Sequence, residues 1–288
     1  MKVSCNQQVA ILLATYNGAK YLHEQIDSVI NQTFMNWHLY IHDDGSNDNT
    51  LTIAKDYEGK MPERITVLDY PVQGGACNNF FSLLETVEAP YYMFCDQDDI
   101  WHDTKVEKSL KAILIEEAKI PGLPYLSYCN LQIVDEMRNV LQKDFWDTCQ
   151  LYPEMYETLN HRVSSTIPGC TMMINHKVKE ISGNHSAALM HDSWLTIRTL
   201  AEKGKLIAIP EALMDYRQHF SNAIGVKSCY KNKSIMYKIR NLHFLIETHI
   251  KTYKMLHAAG YGSIATYLYN KVRENIVRRS IHKKRLRK

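Results

Sequence analysis

The sequence predicts an α/β fold: a mainly parallel central sheet flanked by helices, with a C-terminal helical extension. Three observations lead there. Apolar, β-prone runs alternate with stretches of helical periodicity through roughly the first 120 residues. Each of the first four runs is followed by a polar or glycine-bearing turn. Beyond about Gly225 little but helical spacing remains. Strands alternating with helices of this length imply βαβ units and a parallel sheet.

The first strand is read at Val9 to Ala14, and the following helix at Ala19 to Gln32, where Leu22, Ile26, Val29 and Ile30 fall on one helical face. The pattern repeats as Leu39 to His42 then Thr50 to Tyr57, Ile65 to Leu68 then Asn79 to Val87, and Tyr91 to Cys95 then Thr104 to Ala118. After Pro121 the alternation loosens into short strands at Tyr125 to Leu131 and Cys170 to Ile174, with a polar, aromatic stretch between Asp144 and Arg162. A helix from about Asp192 to Glu202 ends near Gly204, and a strand at Leu206 to Ile209 stops at Pro210. In the remainder, Ile235, Ile239, Leu242, Leu245 and Ile246 share one helical face. The expected organisation is therefore a catalytic domain over 1–225, with halves 1–120 and 121–225, and a helical extension over 226–288.

Composition narrows the class. At 288 residues and 45% hydrophobic, the chain can bury a substantial core. No run approaches the roughly eighteen apolar residues of a spanning helix, and the N-terminus lacks the basic, apolar and small-residue succession of a secretion signal. A cytoplasmic location is expected, with association at the inner face of the membrane as an option. The seven cysteines are odd in number and contain no C-x-x-C pair, which favours reduced thiols over disulfides or structural zinc. The net charge of +3 conceals an asymmetry: residues 227–288 hold 16 Lys and Arg against 2 acidic residues, whereas the preceding 226 hold 18 basic and 29 acidic. Apolar residues among so many cations suit anionic lipid headgroups; a solvated extension packed on the catalytic domain is the alternative. No zinc-finger or RNP signature accompanies the charge, so nucleic acid is not an expected partner.

The chemistry-bearing residues gather at strand ends. Asp96-Gln97-Asp98-Asp99 directly follows the apolar run Tyr91 to Cys95. Three carboxylates so close repel one another, and the natural compensation is a hard divalent cation shared with substrate phosphates, Mg²⁺ or Mn²⁺. The competing reading is an acidic surface loop that caps the next helix. Ala14-Thr15-Tyr16-Asn17-Gly18 closes the first strand and Asp43-Asp44-Gly45-Ser46-Asn47-Asp48 the second. An aromatic turn can stack on a nucleobase, and an Asp at the neighbouring strand end can accept from base N–H or ribose hydroxyls. Plain βα and Asx turns explain the same residues without a ligand. The third turn, Gln73-Gly74-Gly75-Ala76-Cys77-Asn78-Asn79, would let backbone approach a ligand.

Taken in order, A-T-Y-N-G, D-D-G-S-N-D, D-Q-D-D-I-W, His191-Asp192-Ser193-Trp194 and Tyr216-Arg217-Gln218-His219 resemble the family 2 inverting glycosyltransferases of the Rossmann-like GT-A fold. Within that family the chain looks most like bacterial rhamnosyltransferase-type enzymes of surface polysaccharide synthesis. The resemblance spans roughly residues 7 to 225. It implies that Tyr16 and Asp44 hold base and ribose, with Thr15 and Asn17 adjacent. It further implies that Asp96 and Asp98 form the D-x-D that handles ribose and metal-bound diphosphate, with Gln97, Asp99 and Asn78 beside the donor. By the same resemblance Asp192 matches the catalytic base, and Asp98 with His219 the metal side. Trp101 would meet the donor sugar, and Trp194 and His191 the acceptor. The implied activity moves a sugar, rhamnose from dTDP-rhamnose or otherwise a hexose from UDP, onto a surface polysaccharide or lipid-linked glycan.

The chain departs from many relatives in lacking a basic residue after the third strand, so Arg217 or Lys105 is expected to supply the charge that faces phosphate. The chemistry asks for these residue types in any case: charge grows on a leaving diphosphate, and inversion needs one carboxylate to deprotonate the acceptor. A nucleotidyltransferase, and a non-catalytic nucleotide-sugar or polyanion-binding protein, are the other readings. The first normally has a Gly-rich basic loop after its first strand, which Ala14 to Gly18 lacks.

Overall fold

The computed structural model describes residues 7–155, 163, 167–219 and 241–285. Its strands are β1 Val9–Thr15, β2 Trp37–Asp43, β3 Ile65–Val67, β4 Tyr91–Cys95, β5 Ile100–Trp101, β6 Tyr125–Val134, β7 Val140–Gln142, β8 Met172–Asn175 and β9 Lys205–Arg217. The helices are α1 Ala19–Ile30, α2 Thr50–Lys60, α3 Ala76–Thr86, α4 Lys105–Glu117, α5 Phe145–Cys149, α6 His176–Glu180, α7 His191–Ala201, α8 Leu242–Ala258 and α9 Ile264–Arg285.

The strands form one sheet in the order β3-β2-β1-β4-β8-β6-β9-β5, with β7 hydrogen-bonded to β6. The first half is parallel throughout: β1 pairs with β2 and with β4, and β2 with β3. The chain thus winds outward from β1 to β3 and then returns to the other side of β1 with β4. That reversal opens a crevice at the carboxyl ends of β1 and β4, the place where open α/β sheets receive ligands. In the second half β8 runs antiparallel to both β4 and β6, and β6 is parallel to β9.

Local sequence accounts for the strands beside the crevice. All five side chains of β4 are buried, as are Val9 to Leu13 of β1, which is what continuous apolar runs covered on both faces require. Burying each large apolar side chain here contributes about 1.5–3 kcal/mol. Helix α1 turns Leu22, Ile26 and Val29 inward, and α3 packs on β1 through a core that includes Phe80, Phe81 and Leu84.

Three boundaries differ from expectation. Helix α3 starts at Ala76, three residues before Asn79, because Gly75 at φ 129° makes the turn. Strands β5 and β7 have no counterpart in the sequence expectation: β5 has two residues, and β7 is exposed along its length. Strand β9 passes through Pro210 instead of ending before it. Its register with β6 jumps from Cys129 opposite Ile209 to Asn130 opposite Ala212, so Pro210 and Glu211 are left out of the ladder and the missing proline N–H costs no sheet bond.

Of the extension, Ile235 and Ile239 lie outside the described residues, while Leu242, Leu245 and Ile246 begin α8. Helix α8 packs on α7, burying Met255 and Leu256, and α9 packs on the turn at Pro153–Met155. No helix among the described residues is long and apolar enough to cross a membrane. The described cysteines, Cys77, Cys95, Cys129, Cys149 and Cys170, are all free thiols.

Candidate active site

The crevice is braced across the strand reversal. The Tyr16 N–H donates to Gln97 Oε1 (2.8 Å), and Gln97 Nε2 donates to the Tyr16 carbonyl (2.9 Å), joining the turns after β1 and β4. Gly18 permits this, since any Cβ there would collide with the Gln97 amide. The Tyr16 ring itself is 54% exposed and available for stacking. Asn17 sits at φ 48°, a left-handed geometry that Asn tolerates, and its Oδ1 accepts from the Asn47 N–H (2.8 Å). Thr15 is buried and donates to Asp43 Oδ1 (2.9 Å).

Asp44 holds the neighbouring glycine turn. Its Oδ1 accepts from the N–H groups of Gln73 (2.5 Å) and Gly74 (3.1 Å), and its Oδ2 from Gly75 N–H (2.6 Å). The carboxylate therefore folds the glycine turn back over the end of β2. Asn78, one turn into α3, donates to the Gln73 carbonyl (3.0 Å) and ties the same loop.

The acidic cluster is graded by depth. Asp96 and Asp98 are half-buried; Asp99 is fully buried, with Oδ1 accepting from the Arg217 N–H (3.2 Å) and Oδ2 lacking a hydrogen-bond partner. Burial, followed by the charges of Asp98 and Asp192, pushes the Asp96 carboxyl up to about 7. Burial, then Asp98 and Asp96, raises Asp99 well above the carboxylate range. Asp192 is buried in the first turn of α7, whose N-cap is Met190. Its Oδ1 accepts from the Ser193 backbone and hydroxyl, and burial raises its carboxyl to about 6. His219 lies 2.7 Å from Asp98 Oδ2 through Nε2 and stacks on Tyr21 at 4.6 Å between centroids. Asp96, Asp98, Asp99, Asp192 and His219 are thus brought together from β4, α7 and the end of β9.

Four of the expected contacts fall on buried side chains. Trp101 is buried in β5, with Lys105 Nζ 3.7 Å over its ring, so it presents no face to a donor sugar. Trp194 is buried and gives its indole N–H to the Ser182 carbonyl (2.7 Å). His191 is wedged between Phe80 and Phe94 and against Gly169, whose missing Cβ makes the room; burial lowers it to about 3, so it is a neutral core residue rather than an acceptor contact. Finally, neither Arg217 nor Lys105 offers a free charge to phosphate. Arg217 is buried, donating through Nε to the Asp98 carbonyl (3.1 Å) and through its terminal nitrogens to the Glu136 carbonyl (3.1 Å) and Glu24 (3.0 Å). Lys105 is fully buried and gives its ammonium to the Cys170 carbonyl (2.5 Å) and Met214 Sδ (3.3 Å). Both cations serve the cluster from behind, as counter-charges that also lock its loop.

The sequence reading missed Cys170. Its Sγ and carboxylate oxygens of Asp96 and Asp99 lie within 4.8 Å of one another. Burial and the charges of Asp99 and Asp96 push the thiol well above its ordinary range, and as a soft donor it suits a hard divalent ion less well than the carboxylates beside it. The nearest signal in the sequence is Gly169, set immediately before an apolar run. For a hard divalent ion the suitable donors are therefore Asp98 and the His219 imidazole, converging at the half-buried rim, with the unpartnered Asp99 Oδ2 behind them. The carboxylates suit Mg²⁺ or Mn²⁺, and the imidazole, a donor that hard Mg²⁺ disfavours, makes Mn²⁺ the better fit of the two.

Residues 10–181 match the family model described as glycosyl transferase family 2. The chain belongs to that family. This family 2 glycosyltransferase is 28% identical over 236 residues to the dTDP-rhamnosyl transferase RfbG of Shigella flexneri, covering 77% of its own length and 76% of that protein. It is 28% identical over 247 residues to TuaG of Bacillus subtilis, described as a putative teichuronic acid biosynthesis glycosyltransferase, covering 83% and 91%. It spans about half of an uncharacterized glycosyltransferase of Rickettsia prowazekii (49%, at 28% identity). Among solved structures, TarS 1–349 of S. aureus in complex with UDP superposes with a TM-score of 0.55 at 18% identity, covering 74% of this chain and 61% of that one. The mannosyltransferase of Pyrobaculum calidifontis in complex with GDP-Man and Mn²⁺ gives 0.55 at 14%, covering 96% and 83%. At these identities the structures bear on fold, and the fold they share with this glycosyltransferase is GT-A.

Proposed function

We propose that this glycosyltransferase inverts the anomeric centre of a nucleotide-activated sugar, with a divalent ion, and that its donor is dTDP-rhamnose or, failing that, a UDP-hexose. The acceptor in this reading is a surface polysaccharide or a lipid-linked glycan. The observation that carries it is the convergence of Asp96, Asp98, Asp99 and His219 with the buried Asp192 beside the exposed Tyr16 ring. The 28% identity to a dTDP-rhamnosyl transferase supports the donor, and that to a teichuronic acid glycosyltransferase supports a surface glycan as acceptor.

In this reading Tyr16 stacks on the base, while Thr15, Asn17 and the turn held by Asp44 shape the ribose side. Asp96 meets the ribose and Gln97 fixes the floor between base and diphosphate. Asp98 and His219 would hold the ion, which supplies Lewis-acid stabilisation of the leaving diphosphate. Asp192 accepts the proton of the acceptor hydroxyl as it attacks the face opposite the leaving group; one carboxylate suffices for inversion. Its raised proton affinity makes it a stronger base than an ordinary aspartate while leaving it ionised near neutrality.

The test is a donor screen. Purified protein is incubated with Mn²⁺ or Mg²⁺ and dTDP-, UDP- and GDP-sugars, and released nucleoside diphosphate is read by mass spectrometry. Ion-dependent release, strongest from dTDP-rhamnose, is expected. No release from any donor, with or without candidate glycan acceptors, would remove the reading.

A further inference from the structure

Helix α9 has two faces of unlike character. Tyr267, Asn270 and Glu274 are buried against the protein, and Val277 and Ile281 pack beside Tyr152 and Met155. Residues two positions away from these lie about 200° round a helix of 3.6 residues per turn, on the far side. There the helix should be polar. Instead Leu268, Val272 and Ile276 stand 58%, 63% and 64% exposed, with Ile264 one step earlier at 54%.

Cations line this outward stripe. The helix carries seven Lys and Arg against one acidic residue, Glu274. Lys271 and Arg278 pair with Glu274, and Arg285 with Asp147 and Glu154. Arg273, Arg279, Lys283 and Lys284 make no ion pair among the described residues. On a helical projection Arg279 and Lys283 fall on the apolar face itself, within and beyond the line of Val272 and Ile276.

We propose that this face of α9 docks the protein on a lipid surface rich in anionic headgroups. Charge complementarity selects that occupant. A second copy packed on the stripe would bring two sets of unpaired cations together, whereas phosphate headgroups neutralise them while the acyl boundary takes Leu268, Val272 and Ile276. The attachment is not remote from the site. Helix α8, which precedes α9, packs on α7, and the Leu189 N–H donates to Met255 Sδ (3.4 Å) two residues before α7 begins with His191-Asp192. Docking through α9 brings the half of the protein that bears Asp192 to the membrane.

Vesicle sedimentation with the full chain tests this. Wild type should sediment with vesicles containing about 30% phosphatidylglycerol at least about tenfold more strongly than with pure phosphatidylcholine, and the difference should shrink in about 0.5 M salt. Val272→Asp/Ile276→Asp and, separately, Arg279→Glu/Lys283→Glu should each lose the binding with unchanged far-UV circular dichroism and unchanged release of nucleoside diphosphate from soluble donor. Should the apolar variant not fold, Tyr269→Trp reports the same contact. The four native tryptophans are buried, so an added exposed indole quenched by brominated lipid identifies the face. Vesicle binding that is absent in wild type, or equal in wild type and both variants, overturns the proposal. So does a dimer that Val272→Asp/Ile276→Asp dissociates while no vesicle binding is seen, which would give the stripe to a second copy.

Discussion

Asp192 occupies an unusual position for a carboxylate asked to ionise: it is buried, beside Asp96, with hydrogen bonds drawn mainly from its own neighbour Ser193. Its proton affinity is raised by burial to about 6, so transfer should climb as pH rises through that value and level off above it. Asp192→Asn keeps the shape and the burial but cannot take a proton. It should lower turnover by at least about a hundredfold, flatten the pH profile, and leave nucleotide affinity within about twofold of wild type, as read by calorimetry. Unaltered turnover would remove Asp192 as the base. The same scale shows what a sequence can hide. Trp101, Trp194 and His191 sit within two residues of an aspartate in the chain, and their type suggests ligand contacts; burial is decided by which elements pack over them, which closeness in sequence does not reveal. Lys105 is the clearest case, because its ammonium finds Cys170, 65 residues away.

Among the elements, the first four strand and helix pairs were legible because each is a continuous apolar run followed by a helical stripe. The acidic turn after β4 was legible too, since only a strand end could carry three carboxylates so close to a core. Strand β9 was not, because Pro210 normally stops a strand and the bulge that accommodates it depends on β6. The glycine turn after β3 looked like a ligand loop, but its conformation is imposed from outside by Asp44. Asp44→Ala should therefore release the turn. Hydrogen exchange at Gln73, Gly74 and Gly75 should accelerate by at least about tenfold, and stability should fall by about 1–3 kcal/mol, since three N–H groups lose a charged acceptor but regain water. Unchanged protection of the three amides would show that the turn holds itself.

Across the whole molecule the carboxylate cluster stores a conflict between folding and function. Asp96 and Asp192 hold protons in the folded state at pH values where the unfolded chain has released them, because their folded values, about 7 and about 6, lie above the ordinary 3.8. Their contribution to stability is therefore fully present below about pH 4 and is lost as pH rises to about 7. A divalent ion held beside them by Asp98 and His219 would act in the opposite sense, since its charge favours the ionised forms of the neighbouring Asp96 and Asp192. Thermal unfolding with and without Mn²⁺ should show the larger gain at pH 7.5 and little at pH 5; at a hundredfold excess over Kd the gain is about 2.7 kcal/mol. An equal gain at both pH values would place the ion elsewhere. The amide of Gln97, folded back on the Tyr16 backbone, bears on how such an enzyme can be re-tooled. Because one side chain spans the two turns, the turn after β1 and the turn after β4, which the proposed function assigns to the nucleotide and to its phosphates, are tied to each other by two hydrogen bonds. Transplanting either turn alone from a relative with another donor would deliver half of a matched pair; exchanging specificity means moving both turns, with Gly18, together.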